Sequence, residues 1–315
     1  MKFFKKYSFI VGILLFVFIL SRLNFGYYKT LVAGIHLSGI LVILAAILLL
    51  YLPILAITPY RWQRLMRRQG IYYSFWQAFL MYYASMYIGL FTPGRVGEAS
   101  RVFYLKKEHS VGRAFVSVIL DRLFDIFFLL LFGYFSMFLF LDIFKKEVLL
   151  FGVIIIALLL LAISALKSRL LKYFLKKAFY YFIPKKYQDL WKINFQDFFR
   201  DLKIYKFSDY IFLFFLTLVN WSVYYLVVYL FGREIGISQV PILYFFSALT
   251  VVSLTALLPI SIMGVGTRDA VLLAMLSLFK VPAELAVAVS MFILFLTFFI
   301  SAIGLFCWLK KPFEI

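Results

Sequence analysis

From Leu31 to Ile57 the chain reads "LVAGIHLSGILVILAAILLLYLPILAI", without one Asp, Glu, Lys or Arg. A helix needs about 20 such residues to cross roughly 30 Å of hydrocarbon. Further apolar segments lie at 7–21, 73–91, 114–141, 148–166, 211–231, 242–260, 269–279 and 285–309. Hydrophobic residues make up 65% of the chain, against about 45–50% in soluble domains. The runs lack the roughly 10-residue alternation of an outer-membrane barrel. The expected fold class is therefore an all-α polytopic membrane protein, a single integral domain over residues 1–315.

The charges decide how these segments are threaded. If every long segment simply crosses, 73–91 carries Arg95, Arg101, Lys106, Lys107 and Arg113 to the outside, against the positive-inside rule. Two breaks remove the conflict. One is "GLFTPGRVGEASR" (Gly89–Arg101) and the other is "LLPISIMGVGTRDA" (Leu257–Ala270). If 73–105 enters from the cytoplasm and returns there, and 242–280 does the same from outside, most Lys and Arg fall on one side. About seven full spans plus two re-entrant helical hairpins follow, and irregular backbone at membrane depth is tolerable where protein or a water-filled cavity covers it. The hairpins occupy corresponding places in two units, about 31–141 and 211–309, that enter from opposite sides. Paired interruptions in inverted-topology repeats point to a transporter's binding site.

The N-terminus starts basic and turns apolar, as a signal peptide does, but no small-x-small site follows. It reads as an uncleaved span, with N- and C-termini in the cytoplasm. Residues 167–210 interleave Lys and Arg with Phe, Tyr and Trp, which suits helices at a cytoplasmic membrane interface; an ordinary positive-inside loop explains the pattern equally. The formal charge of +19 sits between apolar runs, so no nucleic-acid partner is expected. The single Cys307 excludes an intramolecular disulfide, and His36 and His109 have no metal-ligand spacing. Neither a metal nor a cofactor is expected.

The hairpin breaks carry the candidate chemistry. Pro93, Gly94 and Gly97 interrupt the first, and Thr92 before Pro93 fits an N-cap. The following helix start favours anions, and Arg95 and Arg101 add planar donors suited to phosphate. Glu98 lies three residues from each and can compensate them. In the second, Pro259, Gly264 and Gly266 allow a tight turn, Thr267 could cap, and Arg268 and Asp269 open helix 269–279. A third candidate is "DRLFD", where Asp121, Arg122 and Asp125 lie inside an apolar span. Each charge there costs roughly 2.5–3.5 kcal/mol on insertion scales, and such residues are functional candidates by default. They could pair with Arg95, Glu98 or Arg101, or form a purely structural cluster. No HExxH, GxSxG, CxxC or Walker loop is present, and the chain is not expected to be an enzyme.

These motifs resemble the flippase-like membrane domain of the lysylphosphatidylglycerol synthetase family. That family shows a Pro-Gly…Gly-Glu…Arg loop, similar to Pro93, Gly94, Gly97, Glu98 and Arg101, and then an acidic-Arg-x-x-Asp motif, similar to Asp121, Arg122 and Asp125. Its late motif is matched by Pro259, Ser261, Gly264, Gly266, Arg268 and Asp269. The likeness covers roughly 7–309. Asp121 and Asp269 stand where Glu is more usual, which keeps the charge. The resemblance implies a stand-alone member without the soluble synthetase domain. The implied function is a translocase moving a phospholipid (anionic or aminoacylated) or a polyprenyl-phosphate-linked lipid across the cytoplasmic (inner) membrane. Without a nucleotide motif it is not itself driven by ATP. Arg95, Glu98, Arg101, Asp121, Arg122, Asp125, Arg268 and Asp269 would face the headgroup. Two other readings stay open: a non-transporting partner of a separate glycosyltransferase or lipid-synthesising enzyme, and a membrane-embedded transferase using Asp121 or Asp125.

Overall fold

A computed structural model describes residues 17, 21, 36–90, 92–105, 110–140, 200–201, 204–257 and 264–312, with 93–96 and 137–140 as backbone alone. Most of segment 7–21, segment 148–166, most of the 167–210 loop, Pro259, Ser261 and the side chains of Pro93 and Arg95 lie outside the described residues. Among the described residues every regular element is helical. Three helices are long and apolar enough to cross a membrane: α1 Leu37–Arg68, α5 Phe207–Glu234 and α8 Ala283–Lys310. The chain is a multi-pass membrane protein. Between them lie α2 Phe75–Leu90, a 3-10 segment Pro93–Ser100, α3 Arg101–Leu105, α4 Val111–Phe140, α6 Ile242–Leu257 and α7 Thr267–Ser277.

Helix α1 outruns the apolar segment that starts it. A π-turn at Ile47–Tyr51 precedes Pro53, and Leu55 and Ala56 donate to carbonyls only three residues back. These adjustments accommodate the missing prolyl N–H groups. Pro59 then sits in the first turn of Ile57–Arg68, where its lack of a donor costs nothing. Residues 58–68, beyond the end of the apolar segment at Ile57, therefore continue the helix.

Helices α1 and α5 run antiparallel. A Cβ at Gly39 would stand 2.7 Å from a Glu234 carboxylate oxygen. Tyr51 and Tyr224 rings lie 6.3 Å apart further along, and Arg68 pairs with Asp209 at 2.6 Å at the other end. Each is followed by a helical hairpin. The α2 hairpin begins after Gln69, and Gln69 Nε2 donates to the Arg113 carbonyl at the start of α4 (2.8 Å). The α6–α7 hairpin closes its base through Tyr244 and Phe279, whose rings meet edge-on at 5.1 Å.

The hairpins and the helices that follow them interlock reciprocally. On α8, a Cβ at Gly304 would lie 2.7 Å from the Tyr83 carbonyl and 2.9 Å from Tyr87 Cβ on α2. On α4, a Cβ at Gly133 would lie 2.6 Å from Leu254 Cδ1 and 3.8 Å from Thr250 Cγ2 on α6. Tyr83 and Tyr87 occupy the same positions in the 16-residue α2 as Thr250 and Leu254 in the 16-residue α6. Each hairpin arm thus packs on the helix that follows the other hairpin, where a glycine allows the backbones to approach.

A polar clamp ties the Arg68 end. Asp201, fully buried, accepts from Gln69 Nε2 (3.0 Å) and Arg113 Nε (2.9 Å). Tyr205 donates to the Leu65 carbonyl at 3.1 Å, and burial pushes its phenol above the ordinary range.

Candidate functional site

Asp121, Arg122 and Asp125 lie about 15–20 Å from the start of α4 at 1.5 Å per residue. Asp121 and Asp125 stand one turn apart and turn toward α1, where Arg61 is buried between them. Arg61 Nε donates to Asp121 Oδ1 (2.8 Å), Nη1 to Asp125 Oδ1 (2.9 Å) and Thr217 Oγ1 (2.7 Å), and Nη2 to Asp125 Oδ2 (2.8 Å) and the Asp121 carbonyl (3.1 Å). All five guanidinium hydrogens are therefore used. Trp221 Nε1 adds a bond to Asp125 Oδ1 at 3.2 Å.

The first hairpin supplies the other partners. Thr92 is extended (φ −113°, ψ 136°) and Pro93 follows it, as expected of a helix start, but the helix is 3-10 as far as Ser100. Thr92 Oγ1 bonds no N–H of the first turn; it donates to the Gly89 carbonyl (2.8 Å) and accepts from Gly97 N–H (2.7 Å). Gly97 has to be glycine, since a Cβ would sit 2.8 Å from the Ile88 carbonyl. This tight return places Glu98 against Arg122 Nη1 at 2.6 Å. Arg101 bonds Asp121 Oδ2 at 2.8 Å, with its guanidinium over the Tyr82 ring (4.5 Å) and near Trp62 (5.2 Å).

Arg122 shares the network without being consumed by it. Besides Glu98 it reaches Tyr82 Oη (2.8 Å) and lies 3.5 Å from Asp121 and 3.9 Å from Asp125. Three guanidinium groups, Arg61, Arg101 and Arg122, thus face three carboxylates, Glu98, Asp121 and Asp125. Each charge is paired, as charges taken out of water at such cost must be, while Arg101 Nη2 and Arg122 Nε are left without a hydrogen-bond partner among the described residues.

A cavity of about 520 Å³ opens beside this cluster. Glu98, Arg122, Asp125, Asn220, Trp221 and Arg268, with the hydroxyls of Thr58, Ser253, Thr297 and Ser301, supply its polar wall, and mostly aliphatic and aromatic side chains the rest. Arg61, Arg101 and Asp121 do not reach it. The expected set thus divides into a cavity-facing group and a fully buried one behind it.

The second hairpin delivers Arg268. Gly264 (φ 73°) and Gly266 (φ 82°) adopt the left-handed conformation that favours glycine. The cap of α7 is Gly266, one residue earlier than expected; Thr267 is already helical and donates to the Gly264 carbonyl (3.2 Å). Asp269 Oδ2 accepts from Gly266 N–H (2.8 Å), and its Oδ1 holds Arg268 Nη2 (2.9 Å) and the Ser290 hydroxyl. Arg268 Nε also reaches Ser290 Oγ at 3.1 Å.

Several contributors escaped the sequence reading, among them Arg61, Tyr82, Thr217, Asn220, Trp221 and Ser290. Arg61 had one available signal, a phase match with the apolar α1, which Pro59 and the nearby Arg64, Arg67 and Arg68 obscured. Among the described residues no group of three or more His, Cys, Asp or Glu converges to hold a metal.

The family model described as "lysylphosphatidylglycerol synthase TM region" matches residues 7–304. No curated protein and no solved structure matches the chain.

Proposed function

The chain belongs to the family of the lysylphosphatidylglycerol synthase transmembrane region, and from that premise we propose that it carries lipid headgroups across the cytoplasmic membrane. One observation carries the reading: the Glu98–Arg122 pair faces a cavity between the two units (2.6 Å), while the charges behind it are committed to each other. A headgroup phosphate entering the cavity exchanges for Glu98 on Arg122, with Arg268 as the second donor across the space. Arg122 then stays paired, which a headgroup entering an uncharged cavity could not achieve, and the displaced Glu98 carboxylate is free to meet a cationic headgroup or take up a proton. The apolar wall accommodates the chain-bearing end as the acyl tails stay in lipid.

The antiparallel α1 and α5, the hairpins closing at opposite ends, and the reciprocal glycine crossings support an inverted repeat with two re-entrant hairpins. The Arg68, Lys310 and Lys311 end is then cytoplasmic. Movement is downhill or ion-coupled.

Purified protein in liposomes containing fluorescent phospholipid or polyprenyl-phosphate lipid tests the reading. Quencher accessibility should develop faster than in empty liposomes, and Glu98→Gln should slow it at least about tenfold, the equivalent of 1.4 kcal/mol. Rates equal to empty liposomes for every lipid class would reject translocation.

A further inference from the structure

We infer that Arg61, which does not line the cavity, is the positioning residue that decides which ion pair does. Arg122 stands within 4 Å of three carboxylates: 2.6 Å from Glu98, 3.5 Å from Asp121 and 3.9 Å from Asp125. It engages the one on the hairpin because the two on its own helix are already occupied. Asp121 spends one oxygen on Arg61 and the other on Arg101, both at 2.8 Å. Asp125 receives both terminal nitrogens of Arg61, at 2.9 and 2.8 Å, and the Trp221 indole.

Removing Arg61 leaves two guanidinium groups for three carboxylates. Arg101 remains on Asp121, and Asp125 loses its charge partner. A shift of about 1 Å closes Arg122 onto Asp125 to hydrogen-bonding distance, and Glu98 is left facing the cavity without a cation. An unpaired carboxylate at such a depth takes up a proton rather than stay charged. Lysine does not replace Arg61. A single ammonium has three donors and no planar fork, whereas the site uses five donors on two carboxylates, a hydroxyl and a carbonyl. Arg61 thereby sets the charge that an entering headgroup meets, a role that rests on the translocation reading. The state of Glu98 itself does not.

The test follows Glu98 chemically. A hydrophobic carbodiimide modifies protonated carboxyl groups, and peptide mapping by mass spectrometry locates the adduct in the purified full chain. Glu98 should be almost unmodified in the wild type and at least about tenfold more modified in Arg61→Gln, a population change worth 1.4 kcal/mol. In Arg61→Gln/Asp125→Asn two guanidinium groups again match two carboxylates, and Glu98 should return to wild-type protection. Arg61→Lys keeps the charge and answers for a glutamine variant that fails to fold; it should raise modification several-fold. Protection of Glu98 in both single variants, or no restoration in the double variant, overturns the inference. If this labelling pattern holds while lipid accessibility never exceeds that of empty liposomes, the translocation reading falls and the role of Arg61 stands.

Discussion

Arg61 Nε and Asp121 Oδ1 meet at 2.8 Å, sixty residues apart in sequence and both inaccessible to solvent. Arg101 holds the other oxygen of the same carboxylate, so Asp121 is the one acid that joins α1, α3 and α4. Asp121→Asn leaves Arg101 without a carboxylate and Arg61 with Asp125 alone, and breaking a buried pair costs roughly 3–5 kcal/mol. Asp125 has a side chain 14% exposed and sits at the cavity edge, so Asp125→Asn should cost less. Thermal unfolding of both purified variants checks the order; equal midpoints would remove Asp121 from the centre of the network.

The two glycine crossings differ in what opposes them. At Gly304 a methyl group meets the Tyr83 carbonyl at 2.7 Å, which is backbone; at Gly133 it meets the mobile end of Leu254 at 2.6 Å. Gly304→Ala should destabilise by about 1–3 kcal/mol, as overpacking does, while Leu254 can swing away from Gly133→Ala. The comparison of unfolding midpoints fails if Gly133→Ala proves the worse.

Thr92 staples the first hairpin through two hydrogen bonds, to Gly89 and from Gly97. Thr92→Val keeps the shape and leaves the Gly97 N–H without its partner, a loss of about 1–3 kcal/mol. Thr92→Ser keeps both bonds and should stay near wild type. Amide hydrogen exchange over 89–101 reads the difference directly. Unchanged exchange in Thr92→Val would mean that the return is held elsewhere.

The proposed entry of the hairpins from opposite sides makes a topological prediction. Tyr72, 77% exposed, lies at the base of the first hairpin, and Leu278, 65% exposed, at the base of the second. The native Cys307 is buried and should stay silent. An impermeant maleimide on intact cells should label Leu278→Cys, and Tyr72→Cys only after permeabilisation. The reverse pattern would invert the assigned orientation.

What the amino-acid order could reveal here depended on range. Pro93, Gly97, Gly264 and Gly266 are local instructions, and both chain reversals follow from them. Asp121 and Asp125 share a face because four residues make about one turn, and the pairing of Asp121 with Arg101 of the hairpin was among the readable options. Arg61 was not. Its meaning comes from α1 continuing through Pro59 and meeting α4 and α5, which only packing decides. Nor could sequence separate Arg101 from Arg122. Both are arginines beside the same acids, and the tight 3-10 turn at Gly97 determines that one is sealed under Tyr82 while the other reaches the cavity. The one-residue shift of the α7 cap, from Thr267 to Gly266, has a similar local cause: the side chain of Asp269 captures the Gly266 N–H.

The equality of charge around Asp121 bears on what can drive this molecule. Moving one elementary charge through a membrane potential is worth about 2.3 kcal/mol per 100 mV. Three guanidinium groups and three carboxylates that shift together transfer no net charge through that field, and neither does the Arg268–Asp269 pair. Among the described residues these two clusters therefore provide no voltage sensor. Under the proposed translocation, a dependence of rate on membrane potential enters with the cargo or a coupled ion, which makes the valence of what crosses readable from the slope.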